Sequence, residues 1–368
     1  MKYSVIQRYL CILLCLFIAL PFVNTTRAQQ TADAAAAVNN LPSDTLPDYA
    51  EYLVGHTLPA AQDSYMIPAT DFSDQKNCTV HGETVLTTDN GFIEWTVSVP
   101  KAALYQVALV HKALGDDVSD IEREISINGQ IPFAQARSVS FHRIWMNNPE
   151  DMNEEAFRKD NSGNQLAPSQ VQADLWNTLY IQDIRGSRVK PYNFAFKKGT
   201  NSIRISGLRG GMLLKSLIIN VSKDINEKSY AKYLADHKHV DYTGETIMIQ
   251  GEEAALKSSS ALVPLTDRTS PSTVPSHPVN IRLNTIGGSN WSTPGQWIEW
   301  TVNVPDAGFY SLGIKYRQNM VSGMFTTRSL YINGEIPFKE MSGLEFAYNG
   351  NWQGLVLSDS DATPYKFY

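Results

Sequence analysis

Cysteine is nearly missing from this 368-residue chain: there are three, at Cys11, Cys15 and Cys78, and the first two fall in an apolar N-terminal stretch. With only Cys78 left for a folded domain, an intramolecular disulfide framework is excluded and stability must come from an apolar core. A strong charge of one sign is also lacking. Net charge is −6, charged residues make up 18%, and the longest cationic run is Lys197-Lys198, which argues against nucleic acid as a partner. No Gly-x-Ser-x-Gly, His-Glu-x-x-His or phosphate-loop spacing occurs. The histidines are scattered, and the nearest pair, His237 and His239, sits in a polar linker without cysteine. Carboxylate pairs such as Glu154-Glu155 and Glu252-Glu253 are adjacent and diverge, as solvated surface does. None of these patterns points to an enzyme.

Long hydrophobic runs are limited to one. Tyr9 to Val23 is apolar, about 15 residues interrupted by Pro21, and short for a membrane span. Lys2 and Arg8 precede it, and Thr26-Arg27-Ala28 follows with small residues at −3 and −1. This is the pattern of a secretory signal over residues 1–28, so a secreted or extracellular, cell-surface location is expected. No Gly or Ala precedes Cys11 or Cys15, as lipid attachment requires. Residues 29–46, starting rich in Ala and Gln, are expected to be a disordered linker.

What the chain does contain is one pattern written twice. Ile93-Glu94-Trp95 matches Ile298-Glu299-Trp300, Tyr105 matches Tyr310, and the run Ile127 to Phe133 matches Ile332 to Phe338, every pair 205 residues apart. A repeat of this size means two copies of one domain. Apolar residues alternate through Ile298, Trp300, Val302 and Val304, the mark of a half-buried strand, and Tyr310 to Ile314 predicts a second. Asn128-Gly129 and Asn333-Gly334 are hairpin-turn signals. Tyr49 to His56 matches Tyr230 to His237, which places a short amphipathic helix before each copy.

The predicted architecture is all-β, two tandem jelly-roll sandwiches. The first, with its helix, covers residues 47–222. A helical linker follows over 223–245, and the second sandwich covers 246–368. Copy one carries an extra polar segment, Trp145 to Asp174, expected over one end of its sandwich. Copy two carries an extra loop, Ser258 to Pro278, expected at the surface. Copy one continues through two closing strands, Lys197 to Ile205 and Leu217 to Val221, whereas copy two reaches Tyr368 where those strands should begin. The second sandwich is therefore expected to be incomplete, with an unpaired edge.

The pattern from Gln296-Trp297-Ile298-Glu299-Trp300 through Arg328, Ile332-Asn333-Gly334-Glu335 and Trp352 resembles carbohydrate-binding modules of the family 6 and 35 type, within the galactose-binding-like sandwiches. Motif order from Asn280 to Tyr368, with Ile332 to Phe338, Asn351-Trp352 and the Pro364 to Tyr368 ending, resembles the paired N-terminal modules of large extracellular solute-binding proteins. Those proteins serve carbohydrate ABC importers of Gram-positive bacteria. The resemblance implies oligo- or polysaccharide as a partner, ABC transporter permease subunits as another, and a solute-binding domain beyond Tyr368. The resembled modules often ligate structural calcium through an early carboxylate. Gln250-Gly251-Glu252 stands at that place in copy two and Pro68-Ala69-Thr70 in copy one, so the resemblance implies a calcium ligand at Glu252 alone.

Sugar binding needs exposed aromatic platforms flanked by amides or carboxylates. Trp291, Tyr348 and Trp352 are the candidates in copy two, with Asn349 and Asn351 alongside. The repetition of Trp352 as Trp176 also suits packing, which is the favoured reading for that pair. Trp95 and Trp300 lie on the apolar strand face and are expected in the core. Trp291 has no counterpart in copy one, so the copies should not bind one ligand equally. Two other readings stay open: the accessory region of a secreted glycoside hydrolase, and a structural cell-surface interaction module.

Overall fold

Each copy of the repeat starts with a seven-residue helix in the computed structural model, which describes residues 46–368 apart from 116, 154–155, 185–187, 189, 222–227 and 239. The expected signal, nearly all of the 29–46 linker, and His239 lie outside the described residues. Helix α1 (Tyr49–Gly55) is started by Asp48, whose carboxylate accepts the Glu51 N–H while the Glu51 side chain accepts the Asp48 N–H. Helix α2 (Tyr230–Asp236) starts at Ser229, whose hydroxyl accepts the Lys232 N–H at 3.3 Å.

The same aromatic clasp ties each helix to its sandwich. In copy one Phe133 is fully buried, and the rings of Tyr49, Tyr52, Tyr192 and Phe194 lie 4.9, 5.1, 5.0 and 5.6 Å from it. In copy two Phe338 holds that place, with Tyr230, Tyr233, Tyr365 and Phe367 at 4.8, 5.2, 5.2 and 5.5 Å. Helix tyrosine hydroxyls then accept main-chain hydrogens. Asn193 and Ala195 donate to Tyr49 and Tyr52 at 2.7 Å each, and Lys366 and Tyr368 donate to Tyr230 and Tyr233 at 2.9 and 2.7 Å. Each such ring pair adds roughly 0.5–1.5 kcal/mol beyond its burial, so the clasp is a large term in both modules.

Copy one is all-β and sandwich-like. Its first strands are β1 (Tyr65–Pro68), β2 (Asp74–His81), β3 (Thr84–Val99), β4 (Ala103–Leu114), β5 (Ile121–Ile127) and β6 (Val139–Phe141). The extra segment supplies β7 (Trp145–Asn147), β8 (Met152–Asn153), β9 (Ala156–Phe157) and β10 (Gln170–Gln172). The last are β11 (Asn177–Tyr180), β12 (Asn193–Phe196), β13 (Gly199–Arg209) and β14 (Gly211–Val221). They run in the order β11-β4-β14-β3-β13-β5-β6, with β12 also on β4, β1 on β14 and β2 on β3. Strand β3 pairs with β14 through Val85–Thr87 and with β13 through Phe92–Val99. Between those stretches Asn90 takes a φ of +59°, and a Cβ on Gly91 would sit 2.7 Å from the Lys76 carbonyl oxygen. Only glycine permits that crossing. Beyond it Ile93, Trp95, Val97 and Val99 all face the core.

Copy two has its own core, built on Tyr233, Phe309, Ile336, Phe338, Met341, Leu357 and Phe367. Its strands are short: β15 (Leu256–Lys257), β16 (Pro264–Leu265), β17 (Thr285–Ile286), β18 (Ile298–Glu299), β19 (Gly313–Tyr316), β20 (Phe325–Arg328), β21 (Leu344–Ala347) and β22 (Gln353–Val356). The predicted strand through Val304 shrinks to β18. Among the described residues nothing stands where β13 and β14 flank β3, and backbone groups without a ladder do not hold a strand. The consequence is direct. Val302 and Val304 are 46% and 52% exposed where Val97 and Val99 are 6% and 1%, and Trp300 is half-buried where Trp95 is fully enclosed. The predicted Tyr310–Ile314 strand moves to β19, and Tyr310 keeps one bridge to Phe367, as Tyr105 pairs with Phe194 in copy one. Both Asn-Gly turns form as predicted, with positive φ at Asn128, Gly129, Asn333 and Gly334.

Both extra segments are anchored by contacts that the sequence did not indicate. Strand β7 pairs with β10 on one side and with β15 of copy two on the other, and β15 pairs with β18. The segment of copy one thus completes a four-stranded sheet shared by both copies. Lys257, fully buried, pairs its backbone with Trp145 there and donates its Nζ to Asn147 at 2.6 Å. The extra loop of copy two is also pinned, with Leu262 and Asp267 buried.

Candidate functional site

Lys112 and Arg317 hold equivalent places, near the ends of β4 and β19, and each faces a tryptophan and a carboxylate. In copy one the Lys112 Nζ lies 5.8 Å over the Trp176 ring and 2.5 Å from the Asp174 carboxylate. In copy two the Arg317 guanidinium lies 5.2 Å over the Trp352 ring and 2.6 Å from the Asp267 carboxylate. An aromatic face, a cation and an anion therefore meet at the same edge of both modules, a set suited to a sugar's apolar face and its hydroxyls.

Different elements deliver the two carboxylates. Asp174 sits two residues before Trp176, and buried Arg143 fixes that stretch. Its guanidinium donates to the carbonyls of Leu114, Gly115 and Ser119 and, at 2.5 Å, to the Gln172 side chain. Asp267 comes instead from the extra loop of copy two. Burial, the largest single influence, pushes its carboxyl upward, but the Thr269 hydroxyl and amide, Trp352 and Arg317 together hold it below the ordinary carboxylate value. The Trp352 indole nitrogen is buried and close to Asp267, yet outside strict hydrogen-bond geometry.

Exposure separates the clusters. Trp176 is 41% exposed and Asp174 stands open, whereas Trp352 is half-buried against a buried Asp267. Trp176, for which packing was the favoured reading, is exposed at the surface. The sequence held a usable signal for it: Lys112 and Arg317 are 205 apart, the repeat spacing, and Asp174 neighbours Trp176. Asp267 had no such signal, because its loop aligns with nothing in copy one.

The remaining predicted residues are spread out. Trp291 is covered: the Arg328 guanidinium lies 4.6 Å over its ring, Gly287 packs against it, and its indole N–H donates to the Gln296 carbonyl at 3.3 Å. Tyr348 is 41% exposed and donates its N–H to the Met324 carbonyl at 2.9 Å. Asn349 donates its N–H to the Gln318 carbonyl and accepts the Asn351 N–H on its side chain, leaving the Asn351 side chain at the surface. Buried Gln318 braces this end, its side-chain oxygen accepting the amides of Met320 and Val321. Arg328 and Phe325 mark opposite ends of β20, so Trp291 stands about 10 Å of strand away from the Tyr348 loop.

Glu252 is buried in a single turn, Gly251–Glu253, and its Oε2 has no hydrogen-bond partner. Burial, with Glu253 adding, pushes its carboxyl up to about 7. Among the described residues no group of three or more His, Cys, Asp or Glu could hold a metal. One orphaned oxygen does not make a calcium site, which takes about 6–8 oxygens, so the residues present do not fit that ion. His237 is occupied by packing, 4.6 Å from Tyr233 and 4.8 Å from Tyr368.

No family model matches the chain, and no curated protein matches it. Solved structures similar to it include a mannanase of Podospora anserina with a family 35 carbohydrate-binding module, 13% identical over 49% of this chain, with a TM-score of 0.28. The match spans 36% of that enzyme's length. The C-terminal family 6 module of a marine laminarinase from Zobellia galactanivorans is 11% identical, covering 43% of this chain and 99% of that one, TM-score 0.26. A family 35 carbohydrate-binding module from Clostridium thermocellum is 17% identical, covering 44% and 95%, TM-score 0.23.

Proposed function

We propose that the chain is a secreted, non-catalytic saccharide-binding protein whose principal platform is Trp176 of copy one. The observation that carries this is the repeated cation, tryptophan and carboxylate cluster, left open to solvent around Trp176. The indole offers an apolar face to a pyranose ring, while Asp174 accepts from sugar hydroxyls and Lys112 donates to them. Tyr348 and Asn351 give copy two a separate, smaller surface. Affinity electrophoresis of the whole chain through gels of glucomannan, laminarin or xylan tests this. Retardation by one of them, lost in Trp176→Ala, is the expected result; free migration through all three overturns it.

Within that reading, the chain serves a carbohydrate ABC importer as the front part of its extracellular solute-binding protein. The coding sequence beyond Tyr368 decides. A two-lobed binding domain supports the importer, and a barrel with paired carboxylates assigns the modules to a glycoside hydrolase.

A further inference from the structure

A groove lies away from Trp176, in copy one, where the first turn of α1 meets β6 and the residues that follow β11. It has a volume of about 500 Å³, and its walls include Asp48, Gln135, Ser140, Gln182, Asp183 and Arg188. Small-ligand sites span about 300–1,000 Å³, so there is room for a short oligosaccharide. The Arg188 guanidinium lies 4.5 Å over the Tyr49 ring, and its Nε is buried without a hydrogen-bond partner. A buried donor left unmet is unfavourable and is relieved by a ligand that accepts from it. The Gln135 side-chain oxygen accepts the Tyr49 N–H, which leaves the Nε2 hydrogens of the same amide available.

The polar groups narrow the ligand. Among the described lining residues Asp48, Asp183 and Arg188 carry charge of both signs, while amides and hydroxyls dominate the remaining polar groups. Such walls suit a neutral ligand carrying many hydroxyls. Copy two is built differently here. Ile181 and Tyr192 are 11 apart in the chain, whereas the equivalent Leu357 and Tyr365 are 8 apart and joined by a tight turn around Asp359, with no counterpart of Arg188. Gln135 is replaced by Glu340.

We propose that this groove is a second saccharide subsite, specific to copy one, that takes a short neutral oligosaccharide. It rests on the saccharide-binding reading above. The test uses the whole chain with mannopentaose, laminaripentaose and xylopentaose, followed by calorimetry and by hydrogen exchange of residues 135–140 and 182–184. The expected result is binding that survives in Trp176→Ala/Tyr348→Ala with protection of those residues. Adding Arg188→Ala, or filling the groove with Ser138→Trp, should then weaken it at least tenfold. Binding by the unaltered chain that vanishes completely in Trp176→Ala/Tyr348→Ala overturns the groove and leaves the platform standing. Residual binding insensitive to both groove variants overturns it too. No binding of any of the three by the unaltered chain removes the groove and the platform together.

Discussion

The two copies share a clasp and differ in what surrounds it. Around Phe133 and Phe338 the helix, the aromatic ring set and the backbone bonds agree to within a few tenths of an ångström. Away from it, copy one encloses Trp95 between paired strands, while copy two leaves Trp300 half-buried and β18 two residues long. The clasp needs only one helix and a few aromatic rings and so forms in both copies, whereas a long strand such as β3 is held along its length by β2, β13 and β14, and β18 pairs with β15 alone among the described residues.

The sharpest way to break the comparison is at the paired tryptophans. Trp95→Ala should cost about 3–5 kcal/mol, the usual range for a large aromatic removed from a packed core. Trp300→Ala should cost less than half as much, because part of its surface is already wet. Urea denaturation followed by hydrogen exchange of each copy measures both, and equal costs would mean that copy two packs as tightly as copy one.

Glu252 marks a second difference, since copy one has Thr70 at that place. Its folded value lies near 7, above the ordinary 4.5, so the folded state holds the proton more tightly between those values. Its favourable contribution is complete below about pH 4.5 and is lost as pH rises through about 7. Glu252→Gln should therefore be nearly neutral at pH 4 and stabilise at pH 8, by up to about 3 kcal/mol. Thermal melts at the two pH values check it, and a pH-independent effect would contradict it.

Lys257 belongs to the shared sheet. Burial alone lowers its amine to about 8 from 10.5, so the cost of holding it charged is complete below about pH 8 and is relieved as pH rises towards 10.5. Lys257→Met should stabilise the chain at pH 7 by about 1–3 kcal/mol. Asn147 keeps its bond from Gln170, so no polar atom is stranded. Chemical denaturation at pH 7 measures the gain, and a loss would show that the Lys257–Asn147 bond outweighs the desolvation. The smallest effects fall where the copies agree. Tyr49→Phe and Tyr230→Phe each remove the hydroxyl that accepts one backbone N–H and should cost about 1 kcal/mol apiece, nearly equal in the same denaturation assay.

What was legible in the sequence follows the same division. The helices and both Asn-Gly turns could be read because each depends on residues close in sequence and recurs in both copies, whereas the ring set, drawn from distant parts of each copy, could not. An unpaired edge in copy two was expected, but not that the Trp297–Val304 strand would shrink to β18, because alternation marks a face and not how much of a strand its partners hold. The joining of β7 to β15 was hidden for a related reason: its pairs lie more than a hundred residues apart and outside the aligned block. Among the candidate residues, Tyr348 and Asn351 reach the surface as expected. Trp291 does not stand free, because Arg328, distant in sequence, covers its ring.

Under the proposed function the equivalent tryptophans divide their roles, Trp176 open for ligand and Trp352 half-buried beside the extra loop. Titrating Trp176→Ala and Trp352→Ala with the polysaccharide that retards the whole chain tests it most directly. The expected result is at least a tenfold loss of affinity for Trp176→Ala and less than threefold for Trp352→Ala. A larger loss from Trp352→Ala than from Trp176→Ala would contradict it.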